Sequence, residues 1–386
     1  MPVLKPKSPP SPVDLLVIQG SPFCNIACTY CYLPGRHLTQ KISIAIISKV
    51  FERLTESHLL GNEVTVVWHA GEPMAVPPAY YNKIFEVINA AVPHTLSLSH
   101  SFQTNATLIT QGWCDFIKHH NIRIGVSLDG PAFIHNKFRV KRNGKGSFDE
   151  AMTGIDLLKR NEIPFHVIAV VTDFSLDYPE EIFNFFLETG VDRLGFNIEE
   201  TEGIHKDSTI TSSNGERVKN FLARIFDLQQ KAQGKMIIRE FESAFHKIIG
   251  NPVSEKNSVF DTIPNSHMLH PFAILNIDCD GNFMTFSPEL LGQKSEAYGN
   301  FVLGNVMTDK FSDVIHSPRY KKIYGDIKEG VDMCRQTCAY YKICGGGAPS
   351  NKYYENGSFR SAETLYCKYT IQVPVEIVLA DIEKVF

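Results

Sequence analysis

The sequence predicts an α/β fold: an open, partial (β/α)6 barrel of the TIM type, followed by a smaller cysteine-rich α+β unit. Three observations carry this. Between residues 14 and 232, short β-rich apolar runs alternate with helical patterns, as in βα units around a parallel sheet. Each apolar run stops abruptly at polar or small residues, as strands do where they deliver side chains to one rim of a barrel. Eight of the nine cysteines fall near the two ends of the chain, at 24–31 and 279–367, a distribution typical of metal ligation.

Composition bounds the function. With 386 residues and 43% hydrophobic content the chain can bury a large core, enough for roughly two to three units of ordinary domain size. A formal net charge of −4 and a pI near 6.4 supply no basic surface, so no nucleic-acid partner is expected. No apolar run reaches membrane-spanning length and residues 1–10 lack the apolar core of a signal peptide, so a cytoplasmic protein with no membrane partner is expected.

In chain order, residues 1–13 are a proline-rich, flexible arm, and 14–232 form the barrel. Its strands are expected at 14–20, 64–69, 96–104, 123–128, 165–171 and 193–198, with amphipathic helices at 43–58, 80–91, 148–161 and 179–189 between them. Capping boxes are expected at Ser147-x-x-Glu150 and, opening the long helix after the sixth strand, at Ser213-x-x-Glu216. Cys114 falls in a helical pattern and reads as a core thiol. Residues 233–268 bridge to the second unit, 269–373, which opens with a hairpin, 272–277 and 282–287, turned by Asp278-Cys279-Asp280-Gly281. An amphipathic helix, 374–386, ends the chain.

The first strand runs into Cys24-Asn25-Ile26-Ala27-Cys28-Thr29-Tyr30-Cys31. Three thiolates can wrap one metal centre and leave a coordination position open, which suits a 4Fe-4S cluster that binds a reactant; a structural zinc loop or buried thiols are the bland alternative. The C-x3-C-x2-C spacing, with an aromatic residue before the last Cys, resembles the signature of radical S-adenosylmethionine (SAM) enzymes. The likeness extends along the rim. Ala70-Gly71-Glu72-Pro73 resembles the family's G-G-E-P turn, Gln103-Thr104-Asn105 its Q-T-N motif, and Ser127-Leu128-Asp129-Gly130-Pro131 with Arg139 the fourth-strand segment of its peptide-modifying branch. The resemblance implies that Cys24, Cys28 and Cys31 hold a 4Fe-4S cluster. It also implies that Gly71 and Glu72 hold the SAM ammonium, that Ser127 and Arg139 reach its carboxylate and ribose, that Asn105 and Asp129 line its site, and that Tyr30 packs near the adenine. For Arg139 the alternative is a surface role in a basic stretch.

Cys334-x3-Cys338-x5-Cys344-x22-Cys367 resembles the SPASM, or twitch-like, domain of radical SAM peptide maturases and implies one auxiliary 4Fe-4S cluster; structural zinc is the alternative. A full SPASM domain holds two, but here the hairpin lacks its closing Cys and Ala348 stands where a further Cys is usual. Cys279 is then a spare turn thiol or a stray ligand. Ser287-Pro288-Glu289 and Cys344-Gly345-Gly346-Gly347-Ala348-Pro349-Ser350-Asn351-Lys352 resemble the branch that builds three-residue cyclophanes in ribosomally made peptides, the GrrM, FxsB and XyeB types, and most of all the GrrM type. That implies a precursor peptide as substrate and an external electron donor such as flavodoxin or ferredoxin. In this chemistry a hydrogen leaves the β-carbon of one residue and the carbon bonds to an aromatic ring two positions earlier. Leader binding is expected on the rim, on the second unit or on a separate partner.

A proton must also leave the ring. Strand parity would place Asn197 and Glu199 on one face and Glu200 on the other, which makes Glu199 the candidate base; Glu289 and Asp261 are candidates for substrate contact. Two other outcomes on the same scaffold are formylglycine formation in sulfatases, whose enzymes keep both auxiliary clusters, and thioether formation. A non-catalytic metal-binding peptide chaperone is the reading from a different class.

Overall fold

A computed structural model describes residues 12–250, 255–257, 262–264 and 266–384. The expected arm falls almost wholly outside the described residues, as does Asp261. The six expected strands are all present: β1 (Val13–Ile18), β2 (Leu60–Trp68), β3 (Ser97–Thr104), β4 (Arg123–Ser127), β5 (Phe165–Val171) and β6 (Arg193–Ile198). They pair in parallel and in sequence order. A two-residue β7 (Ile237–Ile238), within the stretch read as a bridge, extends the series beside β6.

Helices α1 (Ile44–Glu56), α2 (Pro78–Ala91), α3 (Gln111–His120), α4 (Ala132–Phe138), α5 (Phe148–Arg160) and α6 (Pro179–Thr189) lie between these strands, and α7 (Gly215–Lys231) and α8 (Arg239–Ile249) follow. The apolar stripe of α1 shows why such a segment is a helix. Ile47, Val50, Phe51 and Leu54 are spaced to share one face and all are buried, each worth about 1.5–3 kcal/mol against exposure. Ser43 caps its start by accepting from the Ile46 N–H at 3.1 Å. Between β2, β3 and α2, Trp68, Tyr81, Phe85 and Phe102 fill the core edge to face; the Tyr81 and Phe102 rings are 4.9 Å apart. Cys114 is wholly buried on α3.

Neither capping box forms as expected. The Ser147 hydroxyl donates to the Arg139 carbonyl at 2.8 Å and lies 3.0 Å from His135 Nε2, so it is spent on tertiary contacts and leaves the start of α5 without a side-chain cap. Before α7 the box is Thr211 with Asn214, closing a short 3-10 turn, and the helix itself starts at Gly215.

A short antiparallel pair, β8 (Glu255–Asn257) and β9 (Thr262–Pro264), precedes the hairpin. The hairpin is β10 (Ile274–Ile277) and β11 (Asn282–Thr285), turned through Gly281 at φ +84, and β12 (Gly304–Asn305) adds to β11. Sequence patterning did not anticipate its position. β10 lies parallel to β1, with Leu15 opposite Ile274 and Ile18 opposite Ile277, so one ten-stranded sheet runs β12-β11-β10-β1-β2-β3-β4-β5-β6-β7. Helices α9 (Phe311–Val314), α10 (Pro318–Thr337), α11 (Tyr341–Cys344) and α12 (Pro349–Asn356), a π-helical turn at Cys367–Gln372 and α13 (Val373–Ile382) complete the chain. Among the described residues no helix is long and apolar enough to cross a membrane.

Candidate active site

The loop after β1 carries Cys24, Cys28 and Cys31, and backbone bonds stitch it to the segment after α4. Ala27 N–H donates to Val140 C=O at 2.6 Å and Thr29 N–H to Phe138 C=O at 3.0 Å, while Glu72 N–H donates to Phe23 C=O at 2.7 Å. Burial pushes the Cys24 thiol up to about 12 and the Cys28 thiol up to about 11. Holding them as thiolates therefore requires a cation, and an iron-sulfur cluster fits that demand.

Asp129 is the hub of the polar network beside this loop. Its carboxylate accepts from Arg139 Nε at 3.0 Å, from the Val170 N–H at 3.0 Å and from the Tyr30 hydroxyl. The Arg139 guanidinium lies over the Tyr30 ring, 5.4 Å from its centroid, and Nη1 is 3.8 Å from Cys28 Sγ. Arg139 is thus buried against the cysteine loop, not spread on a basic surface.

Glu72 is 1% exposed. Its carboxylate accepts from the N–H groups of Met74 at 3.0 Å and Asn105 at 2.9 Å and from the Thr104 hydroxyl at 2.7 Å. Burial raises its pKa to about 7 against those three bonds. The carboxylate therefore buttresses its own turn, tying the end of β2 to the end of β3. Gly71 sits at φ +134, where a Cβ would come 2.1 Å from the Ser21 carbonyl oxygen; only glycine fits. Asn105 Nδ2 donates to Asn25 Oδ1 at 2.9 Å and is 3.8 Å from Cys24 Sγ, and Ser127 accepts from Gln103 Nε2 at 2.9 Å. Of the rim residues named from the sequence, Gly71, Glu72, Asn105, Asp129 and Arg139 approach the cysteine loop or a residue that touches it, whereas Gln103 and Ser127 bond to each other within the barrel.

At the other end, Cys334, Cys338, Cys344 and Cys367 line one small space together with Gly346 and Gly347. Gly345, Gly346 and Gly347 all take positive φ, which lets the backbone wrap closely around the thiols. Thr364 donates to Cys367 Sγ at 3.1 Å and Lys352 Nζ to Cys334 Sγ at 3.2 Å. This all-sulfur donor set fits an iron-sulfur cluster. Cys279 stays at the hairpin turn, where Gln40 Nε2 lies 3.3 Å from its sulfur.

A cavity of about 430 Å³ lies between the end of β6, α8 and the cysteine-rich segment, lined by Glu200, Glu202, Glu289, Asn351 and Tyr366 among others. Burial raises the pKa of all three carboxyls, Glu200 to about 7 and Glu202 well above the usual range, and Glu202 also feels Glu200. Asn351 donates its amide to Glu200, and Ser287 donates to Glu289. Glu199 is not among them. Its carboxylate is held by Thr209 N–H at 3.0 Å, by the Thr209 hydroxyl and by His205 Nε2 at 2.9 Å, so it clamps the 200–210 loop. The parity rule failed because β6 ends at Ile198: beyond that residue the chain no longer alternates. Strand parity had set Glu200 on the face away from Glu199, and Glu202 was not singled out from the sequence; Asn351 had no signal beyond its glycine-rich neighbourhood.

Residues 18–186 match the model of the Radical SAM superfamily. The chain is 41% identical to the uncharacterized protein sll1766 of Synechocystis sp. over 97% of its own length and 93% of that protein. It is 27% identical to a serine-type anaerobic sulfatase-maturating enzyme of Bacteroides thetaiotaomicron over 92% and 87% of the two chains. Among solved structures it resembles anSMEcpe with bound AdoMet and Cp18Cys peptide (TM-score 0.75, 19% identity, 97% and 98% covered). It also resembles Streptococcus suis SuiB bound to precursor peptide SuiA (TM-score 0.61, 18% identity, 92% and 76% covered).

Proposed function

Because this chain belongs to the radical SAM superfamily, we propose that it is a maturase that crosslinks an aromatic ring to a β-carbon in a ribosomally made precursor peptide, giving a three-residue cyclophane. Cys24, Cys28 and Cys31 hold one 4Fe-4S cluster, and Cys334, Cys338, Cys344 and Cys367 hold an auxiliary one. When bound, SAM and the first cluster supply a 5′-deoxyadenosyl radical that abstracts the hydrogen.

The rest falls to the chain's own groups. Asp129 fixes Arg139 and Tyr30 against the cysteine loop, and Glu72 with Asn105 braces that loop from the β2 and β3 side. The crosslinked ring must lose one electron, for which the four-thiol site lies close by, its lining sharing Ile371 with that of the cavity, and one proton. The observation that carries the reading is the cavity beside α12, where Glu200 and Glu202 face the space a peptide would enter. Glu200, oriented by Asn351, takes the proton from the ring carbon.

Similarity to the sulfatase-maturating enzymes supports formylglycine formation as the second reading. It is disfavoured because the hairpin has no closing Cys and Ala348 stands where a further Cys is usual, so that a second auxiliary cluster would lack ligands. Co-expression with a precursor peptide carrying an aromatic residue two positions before a residue that has a β-hydrogen, followed by mass spectrometry of the peptide, tests both. A loss of two hydrogens that resists reduction and alkylation, mapped between an aromatic ring and a neighbouring β-carbon, is expected; an aldehyde or a thioether would overturn the reading.

A further inference from the structure

Three cationic side chains are buried in the described structure: Arg53, Arg139 and Lys352. Two have carboxylate partners. Arg53 pairs with Glu56 at 2.7 Å and Arg139 with Asp129 at 3.0 Å. Lys352 is the most buried, at 2% exposed, and among the described residues it forms no ion pair. Its Nζ donates instead to the Gly330 carbonyl at 2.9 Å and to Cys334 Sγ at 3.2 Å.

A carbonyl and a sulfur do not neutralise a buried ammonium. Leaving such a charge uncompensated is strongly unfavourable, so the side chain points to an anion beside the sulfur it contacts. The sulfur it contacts belongs to Cys334, which with Cys338, Cys344 and Cys367 rings one small space, and four thiolates around a cluster there would carry net negative charge. The surroundings are built for this contact. Gly347 has no side chain, and a Cβ there would sit 3.3 Å from Cys367 Sγ and 3.7 Å from Lys352 Cε. Gly330, the other acceptor, also has no room for a side chain, because its Cβ would lie 2.1 Å from the Phe359 carbonyl oxygen.

We infer that Lys352 is a positioning residue for the auxiliary cluster: its fixed charge beside Cys334 offsets the four thiolates and raises the cluster's readiness to accept an electron. Net charge and hydrogen bonds to ligand sulfur are the levers by which a protein sets such a potential. The inference rests on the proposed four-thiol iron-sulfur site and not on which peptide product is formed.

The test uses the anaerobically reconstituted full chain, comparing wild type with Lys352→Met and Lys352→Arg. Iron and sulfide content, reductive titration followed by electron paramagnetic resonance, and 5′-deoxyadenosine per modified peptide are measured. In Lys352→Met the auxiliary cluster should reduce only at a lower potential, or be lost with a fall in iron, while the first cluster still cleaves SAM. Modified peptide per 5′-deoxyadenosine should drop about tenfold, and Lys352→Arg should restore most of the potential. Should Lys352→Met fail to fold by circular dichroism, Lys352→Gln, which keeps a donor for Gly330, carries the same comparison. A variant lacking the charge that retains both clusters at unchanged potentials would overturn the inference, as would zinc at the four-thiol site of wild type. A wild type that makes no crosslink, in a protein whose Lys352→Met potential does shift, would sink the proposed reaction and leave this inference standing.

Discussion

Asn351 and Lys352 are neighbours on α12 that reach opposite sites: the Asn351 amide donates to Glu200 at the cavity, and the Lys352 ammonium donates to Cys334 at 3.2 Å. Both side chains are 2% exposed. One short helix thereby fixes the separation between the group proposed to take a proton and the site proposed to take an electron.

Glu200→Gln should separate radical generation from product formation. 5′-Deoxyadenosine should still appear, while crosslinked peptide falls by about 100-fold, within the usual range for a general base. Glu199→Gln should leave product formation intact, since that carboxylate clamps His205 and Thr209, and should cost about 1 kcal/mol of stability. Chromatography of both products with mass detection checks this; loss of crosslink in Glu199→Gln alone would reverse the assignment.

Stability should depend on pH through the same carboxyls. Burial lifts Glu200 from 4.5 to about 7 and raises Glu202 and Glu289 in the same direction, so the folded chain binds these protons more tightly than the unfolded one. The contribution of Glu200 is full below pH 4.5 and is lost as pH rises through about 7, and Glu202 and Glu289 act in the same direction. Thermal melts should show Tm falling across that window, with Glu200→Gln giving a shallower slope and the more stable protein above pH 7. Crosslinking runs the opposite way, because the base must be ionised, and should rise through about pH 7. Glu72, also raised to about 7, adds to the wild-type slope, and subtracting the variant's curve removes it.

Gly71→Ala should abolish SAM cleavage. The new methyl would meet the Ser21 carbonyl in a backbone conformation that L-residues rarely take, and the loop holding Cys24 lies directly behind it. We expect at least about 3 kcal/mol of destabilisation and iron falling toward the auxiliary content alone. Urea denaturation and iron analysis read these out.

Asp129→Asn should strand Arg139 as a buried cation beside Cys28 and free Tyr30. The cost is about 3–5 kcal/mol for breaking such a pair from one side. The first cluster should be lost on desalting while the four-thiol site keeps its metal, visible as a partial fall in iron.

The barrel was legible because its signals are local and repeated: β5 and β6 begin and end at the expected residues. The cysteine loop and its rim partners were legible because residue type and spacing state the chemistry. What escaped depended on contacts far apart in sequence. The Ser147 hydroxyl turned to Arg139 and His135 where a cap was expected, since a buried donor takes whichever acceptor the tertiary fold brings closest. Glu200 was set aside by a strand rule applied two residues past the strand. Its partner Asn351 lies 151 positions away, a distance over which no periodicity speaks.

The pairing of β10 with β1 fixes an order of events during synthesis. β1 emerges first, yet its second row of backbone partners, residues 274–277, is made only after more than 250 further residues. Until then the strand feeding the three-thiol loop is an open edge, with Gln19 lacking the Ile277 carbonyl to which it donates at 2.9 Å. Contacts this distant in sequence close late. The first strand to be made is therefore among the last to be completed, while the loop it feeds is already held by partners no further along the chain than Arg142.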